Sequence, residues 1–204
     1  QASENEPLKL FAKDFDGNGS IDPILAYFED GLEHTLIRQA AMIKQLPSLK
    51  KRFIYAKDYG KATVDQLYPR KELESGLVLR AYTLASSWWE NKGGKFIQHV
   101  LPIQAQLAPA YGLDVQDFNG DGNLDILLAG NKYGIEVETG RCDAGIGTLL
   151  LGDGKGGFSW MPNRISGFFA PGEVRDLVCL RGAGGSMNIV VSNNNAAVQV
   201  FRLK

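Results

Sequence analysis

Asp14-Phe15-Asp16-Gly17-Asn18-Gly19-Ser20-Ile21-Asp22 returns later in the chain as Asp117-Phe118-Asn119-Gly120-Asp121-Gly122-Asn123-Leu124-Asp125, with Asp, Phe, Gly, Gly and Asp in register. Each copy runs into an apolar segment of strand length, Ile24 to Phe28 in the first and Leu124 to Ala129 in the second. A motif that repeats together with its flanking strand marks a repeated structural unit. The copies lie 103 positions apart. Removing an insertion of about 45 residues leaves nearly 60, about one four-stranded unit.

A second element recurs alongside the first. Trp88-Trp89-Glu90-Asn91-Lys92-Gly93-Gly94-Lys95-Phe96 matches Leu150-Leu151-Gly152-Asp153-Gly154-Lys155-Gly156-Gly157-Phe158 as strand, glycine-rich turn and strand opening on Phe. The chain holds 24 glycines in 204 residues, against about 14 at average usage, and an excess of this kind asks for many tight turns. Between them lie further strand-length segments at Leu8 to Lys13, Leu77 to Leu84, Phe96 to Leu101, Gly112 to Gln116, Thr148 to Leu151, Val174 to Leu180, Asn188 to Ser192 and Val198 to Leu203. Short strands at this spacing predict an antiparallel sandwich, barrel or propeller.

One region departs from that pattern. From Glu29 to Ser75 glycine is scarce, and Leu32, Leu36, Ile37, Ala40, Ile43 and Leu46 recur at helical spacing until Pro47. Shorter helical pieces are expected at 48–56, 63–68 and 70–75, so the stretch reads as an α-helical insertion at 29–75. A shorter insertion is expected at 131–147. Near the end a third copy, from Asp176, keeps the strand pattern but carries Cys179, Arg181 and Ala183 where the acidic residues would stand.

The loop spacing, D-x-[DN]-x-[DN]-G-x-x-D, points alternate oxygen-bearing side chains at one centre. A hard cation such as Ca²⁺ takes six to eight oxygens at about 2.3–2.6 Å, and the sixth-position glycine permits the sharp turn. The expected ligands are Asp14, Asp16, Asn18 and Asp22 in one site and Asp117, Asn119, Asp121 and Asp125 in the other, completed by the carbonyls of Ser20 and Asn123. Without a cation the three carboxylates of a loop repel one another. An EF-hand would place Glu at the twelfth position and continue into a helix. Here that position is Leu25 or Leu128, inside a predicted strand.

These loops, each followed by an apolar strand and later by ENKGGKF or GDGKGGF, resemble the FG-GAP/VCBS repeats of integrin-type β-propellers. The helical insertion, with Arg38-Gln39, Lys44-Gln45-Leu46-Pro47 and Lys50-Lys51-Arg52-Phe53, and the stretch Phe118 to Gly140 most resemble VCBS-repeat proteins related to the ASPIC/UnbV group of Bacteroidetes-type bacteria. The resemblance spans Leu8 to the end. It implies a mainly β fold with an α-helical insertion, built of propeller blades of four antiparallel strands, with Ca²⁺ between the first two strands of a blade. The blades would be 8–101 and 108–162, with a partial third at 174–203. It further implies an extracytoplasmic setting, either secreted, periplasmic or cell-surface, and a calcium-binding module that holds a protein or glycan. Propellers commonly close with four to eight blades. The expectation is therefore a partial or C-terminal propeller segment, completed by the rest of a longer chain or by self-association.

Other function classes find less support. The net charge of −1 offers no electrostatic basis for holding nucleic acid, and no apolar run reaches the roughly 18 residues of a membrane span. Gln1 to Glu6 lacks a signal-peptide pattern and reads as a processed or trimmed terminus. Cys142 and Cys179 form no zinc or CxxC motif and permit one disulfide. Gly152 to Gly157 fits G-x-G-x-x-G, yet Phe158-Ser159-Trp160-Met161-Pro162 opens no helix, so a hairpin turn is preferred to a dinucleotide site. His34 and His99 lie in no catalytic or metal spacing. At least one of Trp88 and Trp89 is expected in the core, since strand neighbours face opposite sides. The alternative from another class is a calcium-stabilised propeller enzyme, a polysaccharide lyase or hydrolase, and Glu136, Glu138 and Asp143 are its acidic candidates.

Overall fold

The computed structural model describes residues 2–135 and 140–203. At 40% strand and 18% helix the protein is mainly β, with four antiparallel sheets and, among the described residues, no closed barrel or propeller. It divides into two compact units, 1–84 and 85–204.

In the first unit β1 (Leu8–Lys13), β2 (Asp22–Glu29), β3 (Leu32–Thr35) and β4 (Leu77–Ala81) form one sheet in the order β3-β2-β1-β4. The acidic loop joins β1 to β2. Four short helices follow β3: α1 (Gln39–Gln45), α2 (Ala56–Gly60), α3 (Val64–Leu67) and α4 (Arg70–Leu73), with a 3-10 turn at Pro47–Lys51. The insertion covers one sheet face, where Met42, Leu46, Leu49, Val64, Leu67 and Leu73 bury against Phe11, Ile24 and Ala26.

Two expectations change here. The helical periodicity from Leu32 gives way to a strand, because Asp30 (φ 51°) and Gly31 (φ 75°) form a two-residue turn that folds β3 onto β2. The buried Glu33 of β3 then meets Lys9 at 2.9 Å and Arg70 at 2.6 Å. With β3 on the free edge of β2, β4 pairs with β1 instead. The glycine-turned hairpin, expected to complete the same blade within 8–101, falls in the second unit as β5 (Ser87–Lys92) and β6 (Lys95–Val100).

The second unit follows the predicted order more closely. β7 (Ala110–Gln116), β8 (Asp125–Gly130), β9 (Thr148–Gly152) and β10 (Phe158–Met161) make a four-stranded antiparallel meander. β11 (Val174–Arg181), β12 (Met187–Asn193) and β13 (Gln199–Arg202) make a three-stranded one. The two sheets pack together through Leu127, Ala129 and Leu149 on one side and Val174, Leu177, Ile189 and Val191 on the other. The opposite face of β8 and β9 buries Ile126, Leu128 and Leu150 beneath Trp88. Every residue of β8 is therefore buried. A one-turn helix, α5 (Asn163–Ser166), follows β10.

Candidate metal centre

Each acidic loop is shaped by its own side chains. In the first, Asp14 Oδ1 accepts from the Gly17 N–H (2.7 Å) and the Asn18 N–H (3.0 Å), and Oδ2 from the Gly19 N–H (2.8 Å). Asp16 Oδ1 accepts from Asn18 N–H at 3.1 Å, and Asn18 Oδ1 from Ser20 N–H at 2.8 Å. Gly17 and Gly19 sit at φ 76° and 87°, a region costly for any residue with a Cβ. The buried Asp22, at the start of β2, closes the loop by accepting from Phe15 N–H at 2.9 Å. Phe15 itself packs on Tyr68, with ring centroids 5.0 Å apart.

The second loop repeats this pattern. Asp117 accepts from Gly120, Asp121 and Gly122 N–H, Asn119 from Asp121 N–H, Asp121 from Asn123 N–H, and Asp125 from Phe118 N–H. Two bonds set it apart. Asn119 Nδ2 donates to Asp121 Oδ2 at 2.8 Å, and the fully buried Asp125 spends its other oxygen on Gly152 N–H at 2.9 Å.

The electrostatics follow the bonding. The Gly19 N–H, ahead of those of Gly17 and Asn18, holds the Asp14 carboxyl below its ordinary value. The Asn119 amide, ahead of the Asn123 N–H, does the same for Asp121. Both groups stay ionised at neutral pH.

Among the carboxylates of the two loops, the structure gathers those of the first. Asp14, Asp16 and Asp22 bring one carboxylate oxygen each within 4.8 Å of one another. Two oxygens on opposite sides of an ion, each about 2.4 Å from it, are about 4.8 Å apart. The spacing and the hard all-oxygen chemistry therefore suit one divalent cation. Among the described residues this is the group of acidic side chains so gathered. In the second loop the Asn119 and Asp121 side chains engage each other instead, and Asn18 Oδ1 in the first is turned to the Ser20 amide.

The remaining candidates resolve as follows. The G-x-G-x-x-G stretch is the β9–β10 turn, in which Asp153 accepts from Lys155 and Gly157 N–H at 2.8 Å. A Cβ on Gly152 would lie 2.1 Å from the Leu124 carbonyl oxygen, so this glycine admits a close backbone approach. His34 Nδ1 lies 3.1 Å from the Ala62 carbonyl, and His99 stacks on Trp88 at 4.3 Å, 3.1 Å from Glu90. Trp88 packs on the core and Trp89 is exposed. Cys142 and Cys179 are free, and burial, then Asp114, pushes the Cys179 thiol up to about 12. Glu136 and Glu138 lie outside the described residues, and Asp143 is exposed. No described helix is long and apolar enough to cross a membrane.

Two polar anchors have no motif to announce them. Asn131, fully buried at φ 97°, donates to the carbonyls of Gly145, Pro171 and Gly172 and accepts from Gly145 N–H. Glu173 accepts from Tyr133 N–H, Arg175 and Asn194. Both tie the 131–147 insertion to the segment before β11.

No family model, curated protein or solved structure matches the chain.

Proposed function

We infer that the chain is a non-catalytic, calcium-binding module of FG-GAP/VCBS propeller type, from an exported or cell-surface protein, that holds a protein or glycan. The gathering of Asp14, Asp16 and Asp22 in a loop built from the repeated motif is the observation that carries this reading. Asp14, Asp16, Asn18 and Asp22, with the Ser20 carbonyl, are the residues that would hold Ca²⁺ in the first loop; Asp117, Asn119, Asp121, Asn123 and Asp125 are their counterparts. A bound cation supplies charge neutralisation and a crosslink between β1 and β2, and no chemistry on a substrate. Extracytoplasmic calcium, in the millimolar range, keeps even a weak site filled. The face-to-face sheets of the second unit, with β8 buried throughout, support a blade-like stacking.

Calorimetric titration of chelator-treated protein with Ca²⁺, paired with thermal melts, tests the reading. Binding heat and a raised melting temperature are expected, and both should shrink in Asp14→Ala and Asp22→Ala. A chain that gives neither heat nor thermal shift with Ca²⁺ is not a calcium module. Turnover of a polysaccharide would move the assignment to the enzyme class.

A further inference from the structure

Two Asn-Gly bonds occur in the chain, Asn18-Gly19 at the fifth position of the first loop and Asn119-Gly120 at the third position of the second. Asparagine is a thermolabile residue, and glycine after it opens the route to a succinimide, in which the glycine nitrogen attacks the side-chain Cγ. Glycine has no Cβ to obstruct that approach. A Cβ added to Gly19 or Gly120 would meet nothing within 4 Å, and both Asn-Gly pairs are exposed.

The loops present the two pairs alike. Asn18 Oδ1 accepts from Ser20 N–H at 2.8 Å and Asn119 Oδ1 from Asp121 N–H at 2.9 Å. Such a donor draws electron density from Cγ and stabilises the oxygen on which charge develops during attack. Two restraints then separate the loops. The attacking Gly120 nitrogen donates to Asp117 at 2.6 Å, against 2.8 Å from Gly19 to Asp14. The departing Asn119 Nδ2 is held by Asp121 Oδ2 at 2.8 Å, and donation to an anion feeds electron density into the Cγ–Nδ2 bond that must break. Among the described residues no hydrogen bond holds Asn18 Nδ2.

We propose that Asn18 is a site of spontaneous deamidation and Asn119 a slower second one. Solvent hydroxide takes the Gly19 amide proton, the Gly19 N–Cγ bond forms, and Nδ2 takes a proton from water and leaves as ammonia. Water then opens the succinimide. Cleavage at Cγ gives aspartate, and cleavage at the former Asn18 carbonyl gives isoaspartate. The aspartate product adds a fourth carboxylate to the loop that holds Asp14, Asp16 and Asp22. Calcium sites tighten with the charge of their ligands, so the modified loop binds the ion more strongly. That consequence rests on the calcium reading; the conversion itself does not.

The test incubates the full chain with chelator at mildly alkaline pH and reads tryptic peptides by mass spectrometry. In the peptide from Asp14 to Arg38, Asn18 is the single amide side chain, so exchange of NH₂ for OH is read there directly. Asn18 should convert several-fold faster than Asn119. Asp121→Ala, which removes the clasp, should speed Asn119 and leave Asn18 unchanged, and the steady Asn18 rate shows that the variant is folded. An Asn18 that does not convert, an Asn119 that converts first, or an Asn119 rate that ignores Asp121→Ala overturns the proposal. By calorimetry, Asn18→Asp should bind Ca²⁺ about tenfold more tightly than the parent chain. A parent that binds Ca²⁺ as tightly as Asn18→Asp overturns the consequence, whereas a parent that binds none overturns the calcium reading and leaves the conversion standing.

Discussion

The two acidic loops carry three Asp each, with Asp and Asn exchanged between the third and fifth positions and Ser20 of the first replaced by Asn123 in the second. In the second loop, Asn119 at the third position can donate, and it clasps Asp121. In the first, Asp16 holds that position and has no proton to give, so its carboxylate stays beside those of Asp14 and Asp22. Asp125 engages both oxygens with backbone amides; Asp22 engages one. The second loop is thus locked by internal hydrogen bonds, while the first concentrates charge that a cation would relieve. Side-chain order, at constant charge, separates a turn in which an amide clasps a carboxylate from one in which three carboxylates lie together.

The largest test of this contrast is Asp125→Ala against Asp22→Ala in metal-free protein. Hydrogen bonds to charged groups contribute about 1.5–3 kcal/mol each. Two lost amides cost the second unit about 3–6 kcal/mol, and one costs the first about half that, read by chemical denaturation. Equal losses would break the contrast. Next, Ca²⁺ at 100 times its Kd should stabilise the binding state by about 2.7 kcal/mol, with hydrogen-exchange protection rising in 14–22 more than in 117–125. Greater protection of the second loop reverses the assignment.

Exchanging positions sharpens the comparison further. Asp16→Asn with Asn18→Asp should install the second loop's clasp in the first and weaken calcium affinity about tenfold, about 1.4 kcal/mol. The converse pair, Asn119→Asp with Asp121→Asn, should strengthen it in the second loop. The smallest effect is on acid stability. Asp14 and Asp121 are lowered in the native state, so their contribution is whole above the unfolded value of about 3.9 and is lost as pH falls through the native one. Asn119→Ala removes the main cause of the Asp121 shift. It should raise the acid-unfolding midpoint of the second unit slightly and leave the first unchanged.

What the sequence made legible is mostly local. The loop motif, the strands of the second unit and the glycine hairpins follow from turn chemistry within a few residues. The strand at Leu32–Thr35 was also legible, through Asp30-Gly31, but an apolar periodicity running across that turn masked it. The pairing of β4 with β1 was not, because it depends on which edge β3 occupies. Asn131 and Glu173 were not either: their partners lie as far as 41 residues away, and a lone Asn or Glu carries no local sign of such bonds. In the loops, the spacing foreshadowed the closeness of Asp14, Asp16 and Asp22, whereas the clasp of Asn119 on Asp121 depended on which position held the amide.

Trp88, stacked on His99 and packed over β8 and β9, has one further consequence. All three tryptophans of the chain, Trp88, Trp89 and Trp160, belong to the second unit, while the first holds Tyr27, Tyr55, Tyr59, Tyr68 and Tyr82. Indole emission therefore reports on one half of the molecule alone, so the two loops can be followed separately in a single unlabelled protein.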